Sequence, residues 1–330
     1  MSQIIKCKIY ITCLIAITCI YSNDYHKERT LTVMAVGDMR ISEWLLNEHS
    51  SRMDSIRFSG DIIFGNFEGV IADSEYSFPI LNMPAKTLRT LRNMNFNVLS
   101  LANNHSMDLG IKQYEYSKRL LASNGFGIAG YQDSGTVLSI GDISIRIVGF
   151  TFTGPNNVNY PAQAARMISS FSEDIIIVSA HMGSEHDKGY ITPDTMEYFY
   201  GQPRGDVSKF SKACIDAGAD LIIGHSPHIF RKVELYKRRL IAYSLGNFMF
   251  DFPGVNRITR SPTLALRIEL DKNGLFIRAE VISYNLNRGV PEKDYSEWGY
   301  RWLKKLSVNE KSNTLRFENG IITPLHLDKK

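Results

Sequence analysis

The amino-acid sequence predicts an α/β fold. Short β-branched runs alternate with amphipathic stretches along the body of the chain, the pattern of strands interleaved with helices. The strand-like runs are almost continuously apolar, as strands buried on both faces are. Each of them ends in a cluster of Gly, Asn, Asp or His.

In chain order the strands are expected at Leu31 to Val36, Asp61 to Phe64, Asn97 to Leu101, Ser144 to Phe150, Asp174 to Ala180, Asp220 to Ile223 and Leu240 to Leu245. Helical spacing predicts Ser42 to His49, Ala85 to Met94, Ile111 to Ser123, Ala162 to Ser170 and Asp206 to Ala217. Pro84 before the second helix and Gly125 after the third are the usual start and stop signals. Beyond Asp251, Leu264 to Leu270 and Leu275 to Ser283 alternate around Asp271-Lys272-Asn273-Gly274, a hairpin signal. The tail from Pro291 is polar and aromatic, with one more helix expected through Trp302.

A chain of 330 residues with 44% hydrophobic and 22% charged side chains can bury a large core. No Pro/Ser/Gly-rich or charge-dense linker divides it and no internal repeat is visible, so one α/β domain is expected rather than two. The formal charge of +4 is spread along the chain, which argues against nucleic acid as a partner. Arg231-Lys232 and Lys237-Arg238-Arg239 flank a short apolar stretch and read as a solvated hairpin edge.

Lys6 and Lys8 precede the apolar run Ile9 to Tyr21, and Ser22-Asn23-Asp24 follows. That layout predicts a secretory signal or an amino-terminal anchor over residues 1–23, since the run is short of the roughly 20 residues of a membrane span. A lipid-attached Cys19 is a third reading, although Ala16-Ile17-Thr18 matches a lipobox poorly. Cys7, Cys13 and Cys19 lie in this segment, so Cys214 is the single cysteine of the body, and buried packing rather than catalysis is expected of it.

The chemistry lies in five segments: Val36-Gly37-Asp38, Gly65-Asn66-Phe67-Glu68-Gly69, Asn103-Asn104-His105-Ser106-Met107-Asp108, His181-Met182-Gly183-Ser184-Glu185 and Gly224-His225-Ser226-Pro227-His228. Each follows a predicted buried strand, and in open α/β sheets such strand ends converge on one crevice. Taken singly, each has an ordinary account as a turn or cap. Jointly they deliver carboxylate oxygen, amide oxygen and imidazole to one place, a donor set for Mn²⁺, Zn²⁺ or Fe²⁺. There are enough groups for one ion or two, and paired ions about 3.5–4 Å apart suit phosphoester hydrolysis.

These segments resemble the metallophosphoesterase superfamily, which carries Asp-x-His, Gly-Asp, Gly-Asn-His-Asp/Glu, a lone His and Gly-His-x-His at successive strand ends. The nearer resemblance is to the CapA family of capsule, or poly-γ-glutamate, synthesis proteins. Its Gly-Ala-Asp-x-x-x-Gly-His-x-Pro-His corresponds to Gly218 through His228, and its Tyr-Ser-Leu-Gly-Asn-Phe-x-Phe-Asp to Tyr243 through Asp251. The matches run in order from about Val33 to Asp251.

The resemblance implies a four-layer α/β/β/α sandwich, with the family domain over residues 30–255 and residues 256–330 completing it. It implies Asp38 as a ligand of a first metal, Glu68 with or instead of Asn66 at the bridging place, and Asn104 on a second metal. His181, His225 and His228 would complete the spheres, and His105 would give a proton to the leaving oxygen. Glu185 would fix an imidazole tautomer from outside the metal, and Asn247 and Asp251 would shape the cleft rim. Two positions depart from the superfamily pattern. Arg40 stands where a histidine is usual, and a guanidinium cannot bind a metal but can clamp an anion. Asn66 stands where the bridging aspartate is usual, so a bridge depends on Glu68.

The function implied is metal-assisted hydrolysis or transfer on an anionic polymer or phosphoester, with capsule synthesis and export membrane proteins as partners. Its place would be outside the cytoplasmic membrane, exported or anchored there. Two rivals are a non-catalytic tethered subunit of the synthesis complex and a phosphatase of unrelated purpose on the same domain.

Overall fold

Side-chain alternation decides how the strands are layered. On Leu31–Arg40, Val33 and Ala35 enter one apolar cluster while Met34 and Val36 enter another on the opposite face. Ile175–His181 repeats the device, with Ile175 and Ile177 facing one way and Ile176 and Val178 the other. Both strands are therefore covered on two sides, which is why they read as unbroken apolar runs. The computed structural model describes residues 29–74, 76–185, 190–251, 261–308 and 314–325. The proposed leader over residues 1–23 lies outside the described residues.

Two large sheets form the centre. In the first, the order is Leu315–Glu318, Ile321–Pro324, Phe276–Asn287, Ser261–Leu270, Leu31–Arg40, Ile62–Phe67, Val98–Ser100 and Gly127–Ala129. Leu31–Arg40 and the three strands after it in this order run parallel, and Ser261–Leu270 joins the other side antiparallel. Asn247–Phe250 pairs only with the last residues of Leu31–Arg40, setting Asp38 opposite Asn247. The second sheet runs Val233–Tyr236, Arg239–Ala242, Leu221–His225, Ile175–His181, Ile143–Thr151 and Thr136–Ile140, with the middle four parallel.

One cluster, with Val33, Ile62 and Phe64 from the first sheet and Ile145, Ile177 and Leu221 from the second, fills the space between them. Glu43–Asp54, Thr87–Asn93 and Gly110–Ser123 cover the outer face of the first sheet through Leu45, Leu91 and Leu121. Pro161–Ile168 and Val207–Asp216 cover the second through Ile168, Phe210 and Cys214. The layers are α/β/β/α, as expected. Trp298–Val308 closes one flank, burying Tyr300 and Leu303 in the inter-sheet cluster.

Local chemistry sets the element ends. Ser42 accepts the Leu45 N–H and Asp206 that of Lys209, so two helices begin where capping residues stand. Parallel strands start on a second repeated device. The side chains of Asp61, Asn97, Asp174 and Asp220, each just before a strand, accept backbone N–H groups of Thr32, Ile63, Ser144 and Ile176 on the neighbouring strand, at 2.7–2.8 Å.

The basic runs depart from expectation. A hairpin does form, with Lys237 and Arg238 at positive φ between Val233–Tyr236 and Arg239–Ala242. Arg231, however, is fully buried and not solvated. Its guanidinium donates to both Glu197 oxygens at 2.7 Å, a partner 34 residues distant that charge spacing could not reveal. Among the described residues, no helix is long and apolar enough to cross a membrane.

Candidate metal centre

The parallel strands place the donors. Asp38 sits near the end of Leu31–Arg40 in register with Asn66 on the next strand, and Glu68 follows that strand directly. On the second sheet His181 and His225 end adjacent strands and are themselves in register. The two sheets thus present their carboxyl-terminal edges to one another with acid and amide groups on one side and imidazoles on the other.

Two backbone features hold the edges this close. The Asp38 N–H donates to Gly246 O at 2.8 Å, and a Cβ on Gly37 would lie 1.7 Å from that same oxygen, so only glycine precedes Asp38. Beyond His225 the chain turns sharply, with Ser226 at φ 98° and His228 at φ 59°. Two non-glycine residues in the left-handed region within three positions carry strain of about 1–3 kcal/mol each, a feature concentrated at functional sites.

The side chains then converge. Asp38 accepts from Asn66 Nδ2 at 2.7 Å and from the Ser226 N–H at 3.2 Å. Its oxygens lie 3.9 Å from His181, 3.8 Å from His225 and 3.4 Å from His228. Glu68 Oε1 is 3.8 Å from both His181 Nε2 and His228 Nε2. Asp38, Glu68 and His228 offer ligand atoms within 4.8 Å of one another, close enough to share one cation.

Among the described residues, both Glu68 oxygens, both His225 nitrogens and the Asn104 Oδ1 are buried without a hydrogen-bond partner. Buried polar atoms are nearly always satisfied, and an unmatched buried carboxylate is especially costly. The four on Glu68 and His225 lie in the cluster around Asp38, and all are of metal-ligating type, which fits a divalent cation of the Mn, Zn or Fe kind.

The titration behaviour has the same origin. Burial would raise the Asp38 carboxyl, but the His228 hydrogen bond and the nearby imidazoles outweigh it and hold the group well below the usual range. Burial and the Asp38 charge push Glu68 well above its ordinary value. Burial drives His181 far down and His225 down to about 4, whereas for His228 the Glu68 and Asp38 charges overcome burial and push it up to about 10.

The other residues singled out in the sequence have definite places. Asn66 is engaged at both ends, its Nδ2 toward Asp38 and His181 and its Oδ1 accepting from Asn103 at 3.1 Å. His105 Nδ1 lies 2.8 Å from Asp108 Oδ2, which also accepts the Leu81 N–H. Arg40 turns away into a buried pair with Asp251, donating to its backbone oxygen at 2.7 Å and its carboxylate at 3.1 Å. Ser42 Oγ donates to that same carboxylate, so Asp251 serves Arg40 and the helix start instead of the rim.

Three roles escape sequence reasoning. Asn103 links Asn66 to the Phe67 carbonyl and accepts the His105 N–H, a role hidden by its neighbour Asn104. Asn247 Oδ1 lies 2.8 Å from His228 Nδ1, a contact set by the pairing of Asn247–Phe250 with Leu31–Arg40. Glu185, expected to fix an imidazole, stands 3.8 Å from His228 Nε2 and is held at 3.0 Å by Arg204, which no motif marks.

A four-layer sandwich with acids and imidazoles gathered where its two sheets meet defines the metallophosphoesterase type of protein. Residues 43–252 match the model of the family described as bacterial capsule synthesis protein PGA_cap, and the chain belongs to that family. It is similar to the PGA biosynthesis protein CapA of Bacillus subtilis (strain 168), 31% identical over 307 residues that cover 82% of this chain and 74% of that protein. It is also similar to the capsule biosynthesis protein CapA of Bacillus anthracis, 26% identical over 308 residues, covering 81% and 70%. Among solved structures, a hypothetical protein from Thermus thermophilus superposes with a TM-score of 0.50 and 16% identity, covering 77% of this chain and 99% of that one. That likeness concerns the fold alone.

Proposed function

We propose that this capsule-synthesis family member is a divalent-metal-dependent hydrolase that works on an anionic polymer or phosphoester outside the cytoplasmic membrane. The observation that carries the reading is the set of buried, unmatched ligand atoms on Glu68, His225 and Asn104. Asp38, Glu68, Asn104, His181, His225 and His228 would hold one or two ions, which supply Lewis-acid polarisation of an ester oxygen when bound. Asn66 orients Asp38 through its amide. Asp108 accepts the Nδ1 proton of His105 and so orients the ring, which in its doubly protonated form would give the Nε2 proton to the leaving oxygen and keep the one on Nδ1. The charged-then-apolar leader of the sequence supports export or anchoring, and the family supports partners in capsule synthesis and export.

One observation favours a non-catalytic tethered subunit. At the usual bridging position stands an amide engaged by Asn103 and Asp38, and at the usual second-histidine position stands an arginine sealed by Asp251. Purified protein given Mn²⁺ and a generic phosphodiester separates the two. Turnover that falls by about 10²–10⁴-fold in His105→Ala is expected of the enzyme. Absence of turnover in both, with less than one equivalent of transition metal by elemental analysis, would establish the scaffold.

A further inference from the structure

Arg204 lies beside the metal pocket and belongs to no motif of the sequence. Its strand, Gln202–Gly205, is tied to the end of Ile175–His181 by the Gly183 N–H, which donates to the Arg204 carbonyl at 2.8 Å. From there the side chain runs inward and is 95% buried, being 5% exposed. The guanidinium carbon sits 3.9 Å above the Phe152 ring, whose centroid is 5.8 Å from the His181 ring. Nη1 donates to Glu185 Oε1 at 3.0 Å and to Ser226 Oγ at 3.4 Å. Glu185 in turn reaches to 3.8 Å of His228 Nε2, and the Ser226 N–H donates to Asp38. The guanidinium is thus one residue removed from Asp38, His181 and His228 at once.

Its hydrogen bonds to Glu185 and Ser226 both use Nη1. Among the described residues, the buried Nε–H has no partner. A guanidinium presents its donors as a planar fork, and the edge that includes Nε matches two oxygens of a phosphoryl or carboxylate group. Stacking on Phe152 fixes the plane of that fork in advance. Arg40, the other arginine of the region, gives its Nη1 to the carbonyl and the carboxylate of Asp251.

We propose that Arg204 is the substrate-binding residue of this pocket, its Nε edge receiving an oxyanion of the substrate beside the metal ligands. Capture of the oxyanion breaks no covalent bond and requires no proton transfer. The inference rests on the metal-hydrolase reading, because it takes the group bound at Arg204 to be part of the substrate of that centre.

The test is calorimetric titration of the full-length, Mn²⁺-supplemented protein with inorganic phosphate and, separately, with glutarate, alongside Arg204→Gln, Arg204→Lys and Glu185→Gln. Bound manganese and the melting curve are recorded on the same samples. Tighter binding of phosphate or of glutarate tells which oxyanion the fork prefers. Arg204→Gln is expected to weaken that anion about tenfold or more, with manganese unchanged. Arg204→Lys keeps the charge without the fork and is expected to weaken it less. Glu185→Gln removes a negative charge and is expected to leave binding as tight or tighter. Unchanged binding in Arg204→Gln, or equal losses in Arg204→Gln and Glu185→Gln, would show that the arginine only braces the Glu185 loop. Failure of the wild type to bind either anion at tens of millimolar also overturns the proposal. If the wild type holds no manganese, the hydrolase reading fails, while the anion titrations still decide Arg204.

Discussion

His228 Nδ1 lies 2.8 Å from the Asn247 amide oxygen, and an amide oxygen can only accept, so Nδ1 carries the ring proton there. Nε2 is then the basic nitrogen, and it faces Glu68 and Glu185 at 3.8 Å. The contact sets the tautomer a metal requires, and partners of this kind contribute about 10–100-fold in metal affinity. Asn247→Ala is expected to weaken Mn²⁺ or Zn²⁺ by that factor in competition with a chromogenic chelator, while Asn247→Asp keeps the acceptor and loses less. Equal affinity in Asn247→Ala would assign the ring's orientation to packing on Phe250, whose ring is 5.2 Å away.

Strands enter these sheets through a polar side chain that ties each to its neighbour, and Asp220 is the most buried instance with a measurable signature. It accepts the Ile176 N–H from one adjacent strand and pairs with Arg239 Nε at 2.8 Å on the other. Burial nonetheless pushes its carboxyl up from the ordinary 3.8 to about 6, against the pull of those two partners. Below pH 3.8 folded and unfolded chains both hold the proton; between 3.8 and 6 the folded chain holds it more firmly; above 6 neither does. Stability from this group is therefore full in acid and declines as pH rises from about 4 to 6, by about 3 kcal/mol at most. Asp220→Asn keeps an acceptor and removes the titration, so the slope of urea-unfolding free energy over that window should flatten; an identical slope would rule Asp220 out as its source. The same strand starts show what the sequence discloses. Apolar runs preceded by Asp or Asn are legible because both faces are buried, and Ile175–His181 was expected within a residue of its observed ends. Thr136–Ile140 was not, since an edge strand with half-exposed side chains lacks that signature. Nor were Glu197–Phe199 and Gln202–Gly205, short strands whose Glu197 and Arg204 act through partners remote in sequence. The meeting of Asp38, Glu68, His181, His225 and His228 was readable because topology alone brings such strand ends together. The roles of Asn247 and Arg204 were not, because they depend on register and side-chain direction.

At the scale of the molecule, the pocket is a seam. Asp38 and Glu68 come from the first sheet and His181, His225 and His228 from the second, while the apolar cluster behind them joins the same two sheets. Without a cation the seam encloses buried donors with no partner among the described residues, and that cost falls on the contact between the sheets rather than on either sheet alone. A bound ion would remove it, so metal binding and cohesion of the sandwich would be coupled, and ligand present at a hundred times its Kd stabilises the folded state by about 2.7 kcal/mol. For a domain of about 300 residues that corresponds to a rise in Tm of about 4 °C. Scanning calorimetry with and without excess Mn²⁺ after EDTA treatment should show one transition that moves by this amount. In Glu68→Gln, which keeps nearly the same shape but weakens the ligand, the Mn²⁺ shift should largely vanish while the EDTA-treated Tm stays level or rises, because a buried acid group without a hydrogen-bond partner among the described residues has been replaced by a neutral amide. A metal-free Tm that drops by several degrees in this variant would mean that Glu68 stabilises the seam in its own right, without a cation.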